Sequence, residues 1–344
     1  MRPYLLTCAA AAVILFDSGV ANAQAAGNYS PPRTAWGAPQ LDGAWTNASL
    51  TSLQRPAGAS KVIVSEEEAA RLLARNRYTL ATLDEAGASK LDKESSDKLL
   101  ADKNPARGYN RFWMDPGSDY ARVGNDIRTA WVTNPADGMI PYKAGKRPGF
   151  KVTYDGPEGR PVQERCVSYA RLGPVFGNGM YNNNFQIVLT PTHLMINAEM
   201  IHEVRTIPIS KSQAEATHGP EALRNFGGDS VAWYEGDTLV VETVNVRQDQ
   251  RPHITGTGTA VERFTRWKDN EIHYEFRVED DAIYTQPWSG EQVLRLSSEP
   301  VYEYACHEGN YGMYGILAGA RQLERDGREH PPEKPIFAGL DADE

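Results

Sequence analysis

Residues 231–244, VAWYEGDTLVVETV, and residues 261–279, VERFTRWKDNEIHYEFRVE, each hold two runs rich in β-branched and aromatic residues, separated by a short polar turn. The turns are Glu235-Gly236-Asp237 and Lys268-Asp269-Asn270. Runs of this kind joined by so few residues predict β-hairpins. The second hairpin shows the strand period most clearly. Ile272, Tyr274, Phe276 and Val278 share one face, while His273, Glu275, Arg277 and Glu279 share the other. Such alternation marks a strand with one face buried.

Working outward, FQIVLTP (185–191), HLMINAEMIHEVRTIPI (193–209) and QVLRLSSEP (292–300) carry further strand signals. Helical segments of the length a parallel sheet needs do not separate these runs. The expected fold is mostly β. It is an antiparallel β-meander, curled or closed into a lipocalin-like barrel, with a small N-terminal helical and extended segment.

The start of the chain reads as an export signal. Arg2 precedes an apolar run from Tyr4 to Phe16, and Ala21-Asn22-Ala23 offers a cleavage site. The run is shorter than the roughly 20 residues that span a bilayer, so no retained membrane anchor is expected. Residues 1–23 are assigned as signal peptide and 24–60 as an extended arm pinned by Trp36, Leu41, Trp45 and Leu50. Residues 61–105 form a helical segment, in which Ser65 and Glu68 supply a capping box and a second helix covers about 83–102. Residues 106–330 form the β-barrel-like ligand domain, and 331–344 a flexible tail. The expected location is periplasmic or secreted, and the expected state is monomer or homodimer. With 36 Lys+Arg against 45 Asp+Glu, the chain carries a net charge of −9 and is a poor partner for nucleic acid. Cys8 leaves with the signal. Cys166 and Cys306 remain as a pair in an oxidising compartment, where a disulfide is expected over two buried thiols or a single reactive one.

Polar residues inside the strand-like runs point to the site. Read as one strand, 193–207 puts His202 in a row with Leu194, Ile196, Ala198 and Met200, and puts Glu199 on the opposite face with Asn197 and Glu203. Asn182 and Asn184 share a face and can grip an oxygen on a ligand. Cys306 is followed by His307, Glu308, Asn310 and Tyr311. The catalytic candidates are therefore His202, His307, Glu199, Glu308 and Tyr311. The substrate-binding candidates are Asn182, Asn184, Asn310, Arg111 and the apolar walls Phe185, Trp113 and Trp233. HExxH, Cys-x-x-Cys, phosphate-loop, Rossmann and GxSxG signatures are missing, so neither a metal nor an organic cofactor is expected.

The stretches TAWGAPQLDGAWTN, MYNNNFQIVLTP, GDSVAWYEGDTLVVET, VERFTRW, YTQPW and YEYACHEGNYGM run through most of the mature chain. They resemble a family of exported, mostly uncharacterised proteins of environmental bacteria that carry YNNN and EYACHEGN motifs. The resemblance implies export and a common fold and brings no activity with it. The expected function is cofactor-free acid/base chemistry, as a lyase or isomerase, on a small, partly apolar organic molecule. A non-catalytic carrier of a hydrophobic ligand and a metal-assisted hydrolase are the alternatives.

Overall fold

The two hairpins predicted at 231–244 and 261–279 become long neighbouring strands of one sheet. The computed structural model describes residues 29–76, 78–79, 114–146, 160–168, 172–247 and 253–328. The strands are β1 (Gly43–Thr46), β2 (Ile63–Val64), β3 (Arg122–Val123), β4 (Asp126–Arg128), β5 (Val132–Asn134), β6 (Asn184–Leu189), β7 (His193–Ala198), β8 (Val204–Pro208), β9 (Asp229–Glu235), β10 (Thr238–Val244), β11 (Thr259–Lys268), β12 (Glu271–Glu279) and β13 (Trp288–Leu296). Two helices, α1 (Glu66–Leu73) and α2 (Tyr311–Arg325), accompany them among the described residues.

The main sheet runs β8-β7-β6-β1-β13-β12-β11-β10-β9, with antiparallel neighbours throughout, and β5 adds to β13. Its two edges approach each other. Ile209 bridges Ala232 in parallel, and Ser210 N donates to Ala232 O at 2.8 Å. The sheet is therefore a nearly closed, nine-strand barrel, which hides most of the edge that an open sheet exposes. The N-terminal arm is more than a surface strap. Its residues 43–46 form β1, wedged between β6 and β13, and Trp45 is fully buried in the core.

Parity sets which side chains fill the barrel. Phe185, Ile187, Leu194, Ile196, Leu239, Val241, Phe264, Ile272, Phe276 and Leu294 all point into one core. Residues 172–178 also enter it. Phe176 stacks on Phe185 at 4.9 Å and on Tyr274 at 4.7 Å between ring centroids, with Phe264 edge-on at 5.7 Å. Tyr274 and Gln292 hold the backbone of this insert. Phe176 N donates to Tyr274 Oη at 3.2 Å, and Gln292 Nε2 donates to Phe176 O at 2.6 Å.

One strand expected from the sequence is corrected. Residues 193–207 are not a single strand but β7 and β8, joined by a tight turn at 200–202. Ile201 and His202 sit at φ 60° and 41°, and Ala198 N donates to Glu203 O at 2.8 Å to close the reversal. The turn shifts the parity. Leu194, Ile196 and Ala198 face inward before it, and Arg205 and Ile207 face inward after it. Alternation counted across 193–207 thus fails at the turn, which contains none of the Gly, Pro or Asn residues that usually mark one.

Outside the barrel, β2, β4 and β3 form a small sheet covered by α1, with Leu50, Val64, Ala69, Leu72, Tyr120 and Ile127 between them. Ser65 caps α1 by accepting from Glu68 N at 3.2 Å. Glu68 does not return the bond as a capping box requires. Its carboxylate takes Ser60 N at 2.8 Å and Ser60 Oγ at 2.9 Å instead. The signal peptide, the helix expected over 83–102 and the tail at 331–344 lie outside the described residues.

Candidate functional site

The end of the barrel where β6 begins and β7 finishes gathers most of the polar residues singled out in the sequence. Asn182 and Asn184 flank the start of β6 on one side of the chain, and Glu199 follows β7 directly across from them. Glu199 is only 5% exposed. Asn182 Nδ2 donates to its Oε1 at 2.5 Å and Asn184 Nδ2 to its Oε2 at 2.8 Å. A buried carboxylate without such donors would be strongly disfavoured. Asn183, on the opposite side, is a structural amide. It donates to Asp115 O at 2.6 Å and Gly179 O at 2.9 Å, and accepts from Gly179 N at 2.8 Å.

Asp115 is an acidic residue at this end that the sequence pattern did not single out. Its backbone is pinned by Asn183 and by its own N–H to Met180 O at 2.9 Å. Burial, and then the charge of Glu199, push its carboxyl above the ordinary aspartate value. Asp115 itself is exposed. In the sequence the only signal was its place in the turn-forming stretch MDPGSD.

A disulfide joins Cys166 to Cys306, with Cα atoms 5.8 Å apart. The bridge packs on Met200 and Ile201 of the tight turn, with Tyr181 and Tyr304 beside it. It therefore brings the 306–311 segment to the same end of the barrel as Glu199. His202 is exposed on the turn, and its backbone N–H donates to Glu199 O at 3.2 Å. His307 and Glu308 are exposed, and Tyr311 is 84% exposed at the first position of α2. Asn310 is the N-cap of α2, accepting from Met313 N at 3.3 Å, while its Nδ2 donates to Glu164 O at 2.6 Å and faces Cys166 Sγ at 3.4 Å. Backbone strain concentrates here. Cys166, Asn182, Ile201 and His202 all have positive φ without being glycine.

Two apolar candidates lie elsewhere. Phe185 is in the barrel core against Phe176. Trp233 packs with Val231, Val240 and Val261 in a separate cluster, and its Nε1 donates to Glu235 Oε1 at 3.0 Å. Arg111 and Trp113 lie outside the described residues.

Two buried charge networks lie away from this end of the barrel. Inside the barrel, Arg205 Nη2 pairs with Glu262 Oε2 at 2.7 Å and donates to Ser230 and Thr243 hydroxyls, both at 3.1 Å. Arg205 Nη1 donates to Leu172 O at 2.6 Å, and Tyr274 Oη donates to Glu262 Oε1 at 2.8 Å. Burial, then the charge of Glu262, raises the Tyr274 hydroxyl well above its ordinary value. Outside the barrel, Glu291 bonds Arg128 and receives His273 Nε2 at 2.7 Å, while His273 stacks on Trp267 at 4.4 Å. Burial alone would raise Glu291, but the hydrogen bond from His273 and the charge of Arg128 hold it below the ordinary range. Among the described residues no group of three or more His, Cys, Asp or Glu is arranged to hold a metal ion, and no helix is long and apolar enough to cross a membrane. No protein family, curated protein or solved structure matches the chain.

Proposed function

We propose that the chain is an exported enzyme, periplasmic or secreted, that performs cofactor-free acid/base chemistry at the Glu199 end of the barrel. The substrate is a small, partly apolar organic molecule, and the reaction is an elimination, hydration or isomerisation. The observation that carries this reading is Glu199 itself, buried at the end of the barrel and gripped by two amides, with the carboxyl of Asp115 near enough to feel its charge. A buried carboxylate with a second carboxyl close by suits general acid/base work. Asp115 is the proton donor, and the exposed imidazoles of His202 and His307 are acceptors at the rim. Each of Asn182 and Asn184 spends one N–H on Glu199 and has a second for oxygen charge developing on a substrate. Glu308, Asn310 and Tyr311 belong to the segment that the Cys166–Cys306 bridge holds against the turn at 200–202.

A carrier of a hydrophobic ligand would use the barrel axis. Phe176, stacked with Phe185 and Tyr274, occupies that axis and favours chemistry at the end of the barrel. Proton exchange tests the reading across many compounds at once. The mature protein is incubated in D2O with a panel of carbonyl-bearing and hydroxylated organic acids, esters and ketones, and C–H exchange is followed by NMR. Catalysed exchange on at least one compound, lost in E199Q and reduced in H202A or H307A, is the expected result. Tight binding of panel members with no exchange above buffer would replace the enzyme with a carrier.

A further inference from the structure

We propose that the Cys166–Cys306 bridge is an exchangeable latch, opened by a dithiol reductant and closed again by oxidation, which attaches the C-terminal segment to the Glu199 end of the barrel. The two sulfurs are unequally placed. Cys166 is buried at 6% exposure, whereas Cys306 is only partly covered. An incoming thiolate therefore reaches Cys306 Sγ first, and Cys166 is the leaving group. The amide of Asn310 stands beside Cys166, with Nδ2 facing its sulfur at 3.4 Å. A donor aimed at a leaving sulfur stabilises the thiolate that departs, and a better leaving thiolate exchanges faster.

The step balances. The reductant's first thiolate forms a mixed disulfide with Cys306 and releases Cys166 as a thiolate, which takes up a proton. The reductant's second thiol then displaces Cys306. The reductant ends as a cyclic disulfide, and the protein gains two electrons and two protons.

What the latch holds is loosely held otherwise. None of the residues of α2 is buried, and Tyr311 and Tyr314 are 84% and 81% exposed. The packing that ties this segment to the turn at 200–202 runs through Cys166, Cys306, Met200, Ile201 and Tyr304. Cys166 itself sits at φ 55°, a conformation a non-glycine residue keeps only where its surroundings impose it. Opening the bridge removes the covalent tie across that turn and lets the 306–311 segment move away from Met200 and Ile201. The effect on turnover rests on the enzymatic reading above. The exchange and the release do not.

The test follows chemistry and protection rather than activity. The full mature chain is titrated with dithiothreitol, quenched with iodoacetamide and mapped by mass spectrometry, with hydrogen exchange recorded on both redox forms. The first mixed adduct is expected on Cys306. N310S keeps a side-chain oxygen to cap α2 but removes the amide, with its contact to Cys166 and its bond to Glu164 O, and it should slow opening roughly fivefold. N310D, which sets a negative charge against the departing thiolate, should slow it further. On reduction, α2 and residues 199–203 should lose protection while β11 and β12 keep theirs. A first adduct on Cys166, an N310S rate equal to wild type, or unchanged protection of α2 after full reduction would each overturn the latch. A latch that opens as described on a protein with no exchange activity would leave this inference standing and remove the enzymatic one.

Discussion

Two buried carboxylates in one barrel, Glu262 and Glu199, are held in opposite ways. Glu262 lies in the middle of the barrel, fully buried, and is matched by the guanidinium of Arg205 and the hydroxyl of Tyr274. Glu199 lies at one end, and its hydrogen-bond partners there are the neutral amides of Asn182 and Asn184. Around Glu262 the chain packs aromatics against one another. Around Glu199 it places strained turns, exposed imidazoles and a second carboxyl. The first arrangement cancels a charge and locks strands together. The second shelters a buried carboxylate with two amide donors at the end of the barrel.

The largest effect should come from breaking the cancelled pair. E262Q leaves Arg205 buried without a counter-charge and is expected to lower unfolding free energy by about 3–5 kcal/mol, read from urea denaturation. E199Q should be milder, about 1.5–3 kcal/mol, because it weakens two charge-assisted hydrogen bonds but strands no buried opposite charge, while the exchange activity disappears. If E199Q destabilised the protein more than E262Q, the contrast between lock and site would fail.

Acid and alkali sharpen the comparison next, through groups outside both carboxylates. The folded Glu291 carboxyl lies below its usual value of 4.5, because His273 and Arg128 outweigh its burial. Its contribution is present above that value and is lost as pH falls through the lower folded one. His218 is raised above 6.5 by its hydrogen bond to Glu242, which together with the charge of Asp229 outweighs its partial burial. Its contribution is full below 6.5 and fades as pH rises through the folded value. Unfolding midpoints measured from acid to mild alkali should fall at both ends. E291Q should flatten the acid limb and H218Q the alkaline one. A wild-type profile that kept rising through the alkaline range would contradict the role given to His218. The smallest change belongs to α2. Y314S should alter stability by no more than about 0.5 kcal/mol, since the side chain is exposed. A loss well beyond that would mean α2 packs where the comparison treats it as loosely attached.

Much of the barrel was legible because its strands obey a period of two without interruption. Apolar and polar residues alternate through 272–278, although His273 is buried as well, and short polar turns mark both hairpins. The parity argument also put Asn182 and Asn184 on one side of the chain, where they meet on Glu199. It broke at 199–203. A reversal built from Glu, Met, Ile and His carries no turn signature, so the inward rows of β7 and β8 were joined in the wrong register and Arg205 was not seen as a core residue. Asp115 was missed for a different reason. Its neighbourhood with Glu199 spans more than eighty positions of chain, and nothing in its own surroundings marks it as acidic chemistry.

Local chemistry in the sequence decided the strand period, the hairpin turns and the Ser65 cap, because each depends on residues a few positions apart. The cysteine pair was readable as well, since only two cysteines remain in the expected mature chain. Only the tertiary structure decided that residues 43–46 complete the barrel and that Phe176 fills its axis. It also decided that Glu262 meets a guanidinium while Glu199 meets amides, and that Cys306 brings His307 to the end where Glu199 lies. Each of these joins segments far apart in the chain. Their proximity follows from burying one apolar face of a curled sheet, a collective outcome that no local stretch encodes by itself.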